Sequence, residues 1–145
     1  MELIVGPFDP ALHVRSRDHY EAVRREAQLL DLQSDAAPRR LDELNERHFN
    51  RLVDAQVDPV VDGAYLDHLP SFSIRLVIPD EQVPALLAAC DELERLLEEL
   101  DRWAHGSELA ILEPSQDVKA YRLAFLAQLR GQLDPARVEH SGSSA

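Results

Sequence analysis

The stretch FSIRLVIPDEQVPALLAACDELERLLEELDRW, residues 72–103, decides the fold because its hydrophobic period changes abruptly. Over residues 72–78 apolar and polar side chains alternate, which is typical of a strand with one buried face. From Val83 onward the apolar positions recur at helical spacing and form one stripe. The stripe consists of Val83, Leu86, Leu87, Cys90, Leu93, Leu97 and Leu100, widened by Leu96 and Trp103. The pattern predicts a strand that leads into a long helix packed back over it.

Three further helices are predicted from apolar periodicity. The first begins at Ser16, a favourable N-cap residue, and ends before the turn at residues 34–38. The second begins near Arg39, and we expect Pro59 to stop or kink it, because proline lacks an amide hydrogen and its ring clashes with the preceding turn. The last covers residues 118–133.

The sheet is expected to contain two or three strands. Residues 72–78 and 108–112 are both of strand length and are separated by one long helix, an order that favours a parallel pair with a right-handed crossover. Two strands alone would be marginally stable. The N-terminal residues, with short extended pieces at residues 3–5 and 11–14, are therefore predicted to add a third strand.

The expected fold class is α/β or α+β: a helix-rich single domain with a small two- to three-stranded sheet covered by helices. It spans residues 1–135, and the small polar residues 136–145 are predicted to form a flexible C-terminal tail. A chain of 145 residues is long enough to bury a sizeable core.

The charge and the hydropathy of the chain limit the classes of partner that it is expected to have. A net charge of −12 repels phosphate backbones, so nucleic-acid binding is not expected. No apolar run reaches the roughly 20 residues of a membrane span, and the N-terminus lacks the pattern of a signal peptide. These features, and a single cysteine that is expected to be buried and inert, favour a cytoplasmic protein.

No motif of catalytic, metal-binding or cofactor-binding type is found in the sequence. The six histidines form no metal-ligand pair, one cysteine is too few for a thiolate zinc site, and the five glycines form no phosphate-binding loop. The acidic residues of the long helix are interpreted as a solvated face. We therefore predict no catalytic residue, no metal, no cofactor and no enzymatic activity.

Five residues are candidates for contact with a partner or a ligand: Trp103, Tyr121, Arg122, His19 and Glu26. Trp103 ends the long helix, where an exposed tryptophan would anchor a partner protein. Tyr121 and Arg122 lie on the last helix. His19 and Glu26 lie on the first helix, where a capping or half-buried structural histidine is favoured over an acid–base pair or an anion site.

The pattern resembles a group of small, uncharacterised actinobacterial proteins. The N-terminal helix of that group is matched here by Ser16, His19, Tyr20, Val23, Arg25, Glu26, Leu29 and Leu30. Ile78-Pro79, and the stretches at residues 96–103, 109–114 and 120–122, are similar to other segments of the group. The group has an aromatic-rich final segment, and this chain departs from it at residues 122–129.

Such proteins tend to be encoded beside STAS-type anti-sigma-factor antagonists and their ATP-binding anti-sigma partners. The resemblance implies a non-enzymatic regulator that acts by protein–protein contact, with a STAS or anti-sigma protein as partner. Whether the protein also forms a homodimer is left open. An alternative is a small-molecule sensor that binds a ligand between the C-terminal helices and the sheet, around Tyr121, Arg122 and Trp103. A third is an enzyme that uses His19 with Glu26 or with an acidic pair.

Overall fold

The structure, a computed structural model, describes the backbone of residues 1–29, 36–105 and 114–134, and the side chains of residues 1–25, 40–102 and 114–134. The protein is a helix-rich α+β single domain with a two-stranded antiparallel sheet, in agreement with the second predicted fold class. Its elements are β1 (Glu2–Phe8), α1 (Pro10–Leu29), α2 (Ala36–Leu44), a π-helical stretch (Asn45–Asp54), α3 (Ala55–Leu66), β2 (Phe72–Val77), α4 (Val83–His105) and α5 (Gln116–Leu133).

The sheet pairs β1 with β2 in antiparallel register, with Leu3 opposite Leu76 and Val5 opposite Ile74. These four side chains are buried, while their neighbours along each strand are not, as the alternating sequence predicts. The prediction that the N-terminal residues join the sheet is thus confirmed. The predicted parallel partner, residues 108–112, lies outside the described residues.

Gly6 interrupts the pairing between Val5 and Phe8, where the register shifts. Its φ angle is +123°, a backbone conformation that glycine adopts at little cost. A Cβ atom on Gly6 would lie 2.7 Å from the Phe72 carbonyl oxygen and 2.8 Å from the Ser73 Cα atom. The bulge therefore brings the two backbones close together and requires glycine.

Glutamine side chains occupy both edges of this sheet. On the β2 edge, the Val77 amide donates to Gln56 Oε1 at 2.9 Å, and Gln56 Nε2 donates to the Val77 carbonyl at 3.0 Å. On the β1 edge, Gln132 makes the same pair of bonds with the Ile4 backbone, and Gln128 Oε1 accepts from the Gly6 amide at 2.9 Å. The side-chain amides replace the backbone partners that an edge strand lacks.

Helix α1 begins six residues earlier than predicted. The Asp9 side chain accepts a hydrogen bond from the Ala11 amide at 2.9 Å, so Asp9 is the N-cap and Pro10 takes the first helical position, which suits proline. The predicted start at Ser16 and the predicted extended piece at residues 11–14 are therefore wrong. Ser16 is instead a buried residue within the helix.

From Ala36 to Leu66 the chain is helical without a break, and its middle is π-helical. The Ala55 amide donates to the Asn50 carbonyl, the five-residue spacing of a π turn. Of the stop or kink expected at Pro59, the stop is not found, because α3 continues to Leu66. Pro59 and Ala55 are both exposed, so the carbonyl that loses its partner faces solvent.

Helix α3 ends in a Schellman-type turn with His68 in the left-handed position, at φ 54°. The Leu69 amide donates to the Ala64 carbonyl at 2.9 Å, and the His68 amide donates to the Tyr65 carbonyl at 3.2 Å. The turn ends the helix at Leu66.

The core lies between the sheet and the helices, and α4 contributes Leu86, Ala89, Cys90, Leu96 and Leu100 to it. The carboxylates of α4, predicted to be a solvated face, in part bind arginines of other helices. Arg40 of α2 pairs with Glu92, and Arg130 of α5 pairs with Glu94 and with Asp91. No helix in the described part of the chain is long and apolar enough to cross a bilayer.

Candidate functional site

A cavity of about 290 Å³ lies between α1, the π-helical stretch, the start of α3, α4 and α5. One side of its wall is apolar and is formed by Phe49, Val53, Leu93, Leu97, Phe125 and Leu126. The polar part of the wall is formed chiefly by side chains of α1, together with Asp54 and Asp58. A pocket with an apolar wall and a few polar groups is the usual form of a small-molecule site, and this volume falls at the lower end of the range for such sites.

The π-helical stretch supplies five of the lining residues: Asn45, Phe49, Asn50, Val53 and Asp54. Their spacing of four to five residues matches the wide turn of a π-helix and aligns them along one face. Phe49 and Val53 are buried on the apolar side, whereas Asn50 is exposed at the rim. Stretches of π-helix are frequent at functional sites, and here the wide turns directly shape the cavity.

His13 of α1 lies at the base of an aromatic cluster between the sheet and α5. Its ring is 5.5 Å from Tyr121 and 5.7 Å from Phe72, both edge to face. Burial lowers the pKa of His13 to about 4, and the positive charge of Arg17 acts in the same direction. The imidazole is therefore neutral at physiological pH.

The neutral His13 ring has its two nitrogens in different surroundings. Its Nε2 atom lies 4.0 Å from a carboxylate oxygen of Asp58, which favours hydrogen on that nitrogen. The Nδ1 atom then accepts a hydrogen bond from the Tyr121 hydroxyl. Burial also raises the pKa of Tyr121, so its hydroxyl stays protonated and can donate.

Asp54 is a titratable group of the cavity in an unusual environment. Burial raises its pKa to about 6, and the negative charge of Asp58, one turn further on, raises it as well. Asp58 itself is 3.5 Å from Arg17, whose other guanidinium nitrogen is 3.0 Å from Asp62. Asp54 has no hydrogen bond or ion pair with any described residue, so its carboxylate is available to a ligand.

Other polar groups of the wall are bound to one another. The Asn45 side-chain amide donates to the Tyr20 hydroxyl, whose pKa is raised by burial. Arg122 Nη2 donates to Asp101 at 2.6 Å, and both side chains of this pair are largely buried. These contacts fix the positions of the side chains around the cavity.

The structure brings two of the five sequence-selected residues together at this cavity. Tyr121 and Arg122 line it from α5, although the cavity lies among helices and not against the sheet. His19 lies on α1 but is not part of the wall. The backbones of Glu26 and Trp103 are helical, in α1 and α4, and their side chains lie outside the described residues.

Sequence reasoning missed His13, Arg17, Asp54 and Asp58. One signal was available: Asp54 and Asp58 are four residues apart and each directly follows a buried valine. That spacing places both carboxylates on one helix face beside the apolar stripe. His13 carried no such signal, because its partners lie on distant segments of the chain.

Comparison with known proteins identifies no relative: no family model, curated protein or solved structure matches the chain. Within the described residues, no group of three or more His, Cys, Asp or Glu side chains is placed to hold a metal ion.

Proposed function

We propose that this protein is a ligand-binding domain that senses a small organic molecule in the cavity between α1, the π-helical stretch, α4 and α5. The observation that supports this most is the wall itself: half-buried Leu93, Leu97 and Phe125 face a space bordered by Asp54, whose carboxylate has no partner among the described residues. An apolar surface can hold the body of a ligand while one polar group fixes its orientation.

Binding is favoured over catalysis by how the polar groups of the wall are engaged. Acid–base catalysis that passes a proton between two side chains needs a second group, beside Asp54, that is free to exchange a proton at the ligand. Within the described wall, His13 is bound to Tyr121, and Asp58 is bound to Arg17. The pairing of polar groups therefore supports recognition by Asp54 without a proton-transfer partner.

The test is thermal unfolding of the full chain in the presence of a library of small organic fragments. A ligand that binds only the folded state raises Tm by mass action. We expect Leu97→Trp and Leu93→Trp, each of which fills the cavity, to abolish the shifts. The matched control is Leu123→Trp on the exposed side of α5, which should leave them unchanged.

Absence of any shift with the wild-type chain would contradict the proposal. Shifts that persist in both cavity-filled variants would do so as well, because the fragments would then bind elsewhere. Circular dichroism of each variant establishes that it folds, and the two independent tryptophan positions keep the test decisive if one variant is unstable.

A second proposal, regulation by protein–protein contact with a STAS or anti-sigma protein, is favoured by an apolar surface at the end of α3. Tyr65, Leu66 and Leu69 are 47%, 75% and 51% exposed within five residues of sequence. Exposed apolar patches of this kind are frequent at protein interfaces. The double variant Leu66→Lys/Leu69→Lys is expected to abolish binding to a purified partner in calorimetry, whereas Leu123→Lys is not.

A further inference from the structure

The charged side chains of the cavity wall form internal ion pairs, with one exception in the part of the chain that the structure describes. The pairs are Arg17 with Asp58 and Asp62, Arg24 with Glu21 and Asp42, and Arg122 with Asp101. Asp54 is the exception, and Arg17 acts on it only through longer-range attraction. After this internal pairing, Asp54 is the one carboxylate of the wall that has no ion pair among the described residues.

Building on the ligand-binding function proposed above, we infer that the ligand is a small organic monocation, in which one amine or ammonium group binds Asp54 and a compact apolar body fills the cavity. A charged N–H donor on a half-buried carboxylate forms a stronger hydrogen bond than a neutral donor does. One carboxylate without a counter-ion matches one positive charge on the ligand.

Aromatic side chains support the same ligand class. Tyr20, Tyr121 and Phe125 border the cavity together with Phe49. Aromatic rings attract cations through their quadrupole, and combinations of rings with a carboxylate are typical of sites for ammonium groups. The apolar wall at Leu93 and Leu97 then takes the carbon skeleton of the ligand.

Anionic ligands fit the wall less well, although three arginines border it. Each guanidinium is already bound by at least one carboxylate, so an anion would first have to separate an ion pair. The chain also carries a net charge of −12, which attracts cations to its surface and repels anions. Both effects act in favour of a cation.

The experiment compares three probes that share one aromatic body: phenethylamine as the cation, 2-phenylethanol as the neutral analogue and 3-phenylpropanoate as the anion. Their Kd values for the full chain are measured at neutral pH by NMR titration. We expect the amine to bind about tenfold more tightly than the alcohol, as one charge-assisted hydrogen bond predicts, and the anion to bind most weakly.

Asp54→Asn is expected to remove the preference for the amine while leaving the affinity for the alcohol unchanged. The variant should fold, because the native site already disfavours a charge at this position. Asp62→Asn is the matched control: it removes the same charge from an aspartate that pairs with Arg17 but does not line the cavity. It should keep the preference.

Two results would overturn the inference, and they are distinguishable. Alcohol or anion binding as tight as amine binding, lost in Leu97→Trp, overturns the cationic ligand but keeps the cavity as a binding site. No binding of any of the three probes overturns the cation and the ligand-binding function together. A preference for the amine that survives in Asp54→Asn assigns recognition to another group and also overturns the inference.

Discussion

Gly6 and Gly63 are two glycines with opposite structural roles, and they give a matched pair of predictions. Gly6→Ala should destabilise the protein by about 3 kcal/mol, because the new Cβ atom would collide with the β2 backbone at a positive φ angle. Gly63 lies inside α3, where a Cβ atom would meet open space. Gly63→Ala should therefore stabilise the protein by roughly 0.5–1 kcal/mol. Urea unfolding measures both changes in the free energy of unfolding. If both changes had the same sign, the assignment of Gly6 to a bulge that requires glycine would be contradicted.

His68 occupies the left-handed position that ends α3, where glycine is the usual residue. His68→Gly should raise the free energy of unfolding by about 1 kcal/mol, because it removes the Cβ contact that disfavours this conformation. The control is His68→Ala, which removes the imidazole but keeps the Cβ atom and should give no gain. Equal stabilisation by both variants would attribute the effect to the ring instead.

Asp54 and His13 titrate in the same pH range with opposite effects on stability. Burial raises the pKa of Asp54 from 3.8 to about 6, so the folded state binds more protons and this group stabilises the fold as pH falls from 6 toward 4. Burial lowers the pKa of His13 from 6.5 to about 4, so the unfolded state binds more protons and this group destabilises the fold over that range.

The two contributions largely cancel in the wild-type protein. Asp54→Asn removes one of them. Its stability relative to wild type should therefore fall by about 2 kcal/mol between pH 7 and pH 4.5, which is less than the full pKa difference gives because this range stops above the pKa of the unfolded state. His13→Asn should change in the opposite direction. Urea unfolding at several pH values tests this, and parallel profiles for Asp54→Asn and wild type would refute it.

At the level of the elements, the glutamines on the sheet edges are the feature with the clearest consequence. Gln56→Ala and Gln132→Ala each remove two hydrogen bonds from an edge strand. Each variant should lose about 1–2 kcal/mol of stability, and the double variant should self-associate through the uncovered strands. Gln82→Ala, at an exposed position, is the control. Sedimentation that shows a monomeric double variant at high concentration would contradict the second expectation.

The elements that the sequence predicts best are those with a strong local period. Residues 72–78 and the helix from Val83 are found nearly as predicted because alternation and helical spacing are both explicit there. The start of α1 was missed although Asp9-Pro10 is a good helix-start pair, because the N-cap quality of Ser16 was weighted more heavily. The π-helical stretch has no local signature, since its apolar spacing also fits an α-helix.

At the scale of the whole molecule, arginines connect the helices, and the burial of each ion pair determines its contribution. Arg122 and Asp101 are only 12% and 18% exposed, so Arg122→Met should cost about 2 kcal/mol by leaving a partly buried carboxylate without its partner. Arg15 and Asp117 are 55% and 51% exposed, and Arg15→Met should cost clearly less than Arg122→Met. Equal losses in thermal unfolding would show that burial is not the determining factor.

The candidate site could be predicted only in part because it is assembled over long distances in the sequence. Tyr121 and Arg122 were selected for size and charge, and they do border the cavity. His13 and Tyr121 are 108 residues apart, and their hydrogen bond depends on how α1 and α5 pack. Asp54 has an altered pKa because of burial, and burial of a polar residue beside a cavity depends on all the surrounding helical segments.

The wide turns between Asn45 and Asp54 set the directions of the side chains that line the cavity. If the same ten residues formed an ordinary α-helix, Phe49 and Asp54 would point in new directions. The chain from Ala36 to Leu66 would still be helical throughout. A ligand bound to Asp54 would therefore oppose this change to an α-helix, and release of the ligand would permit the change.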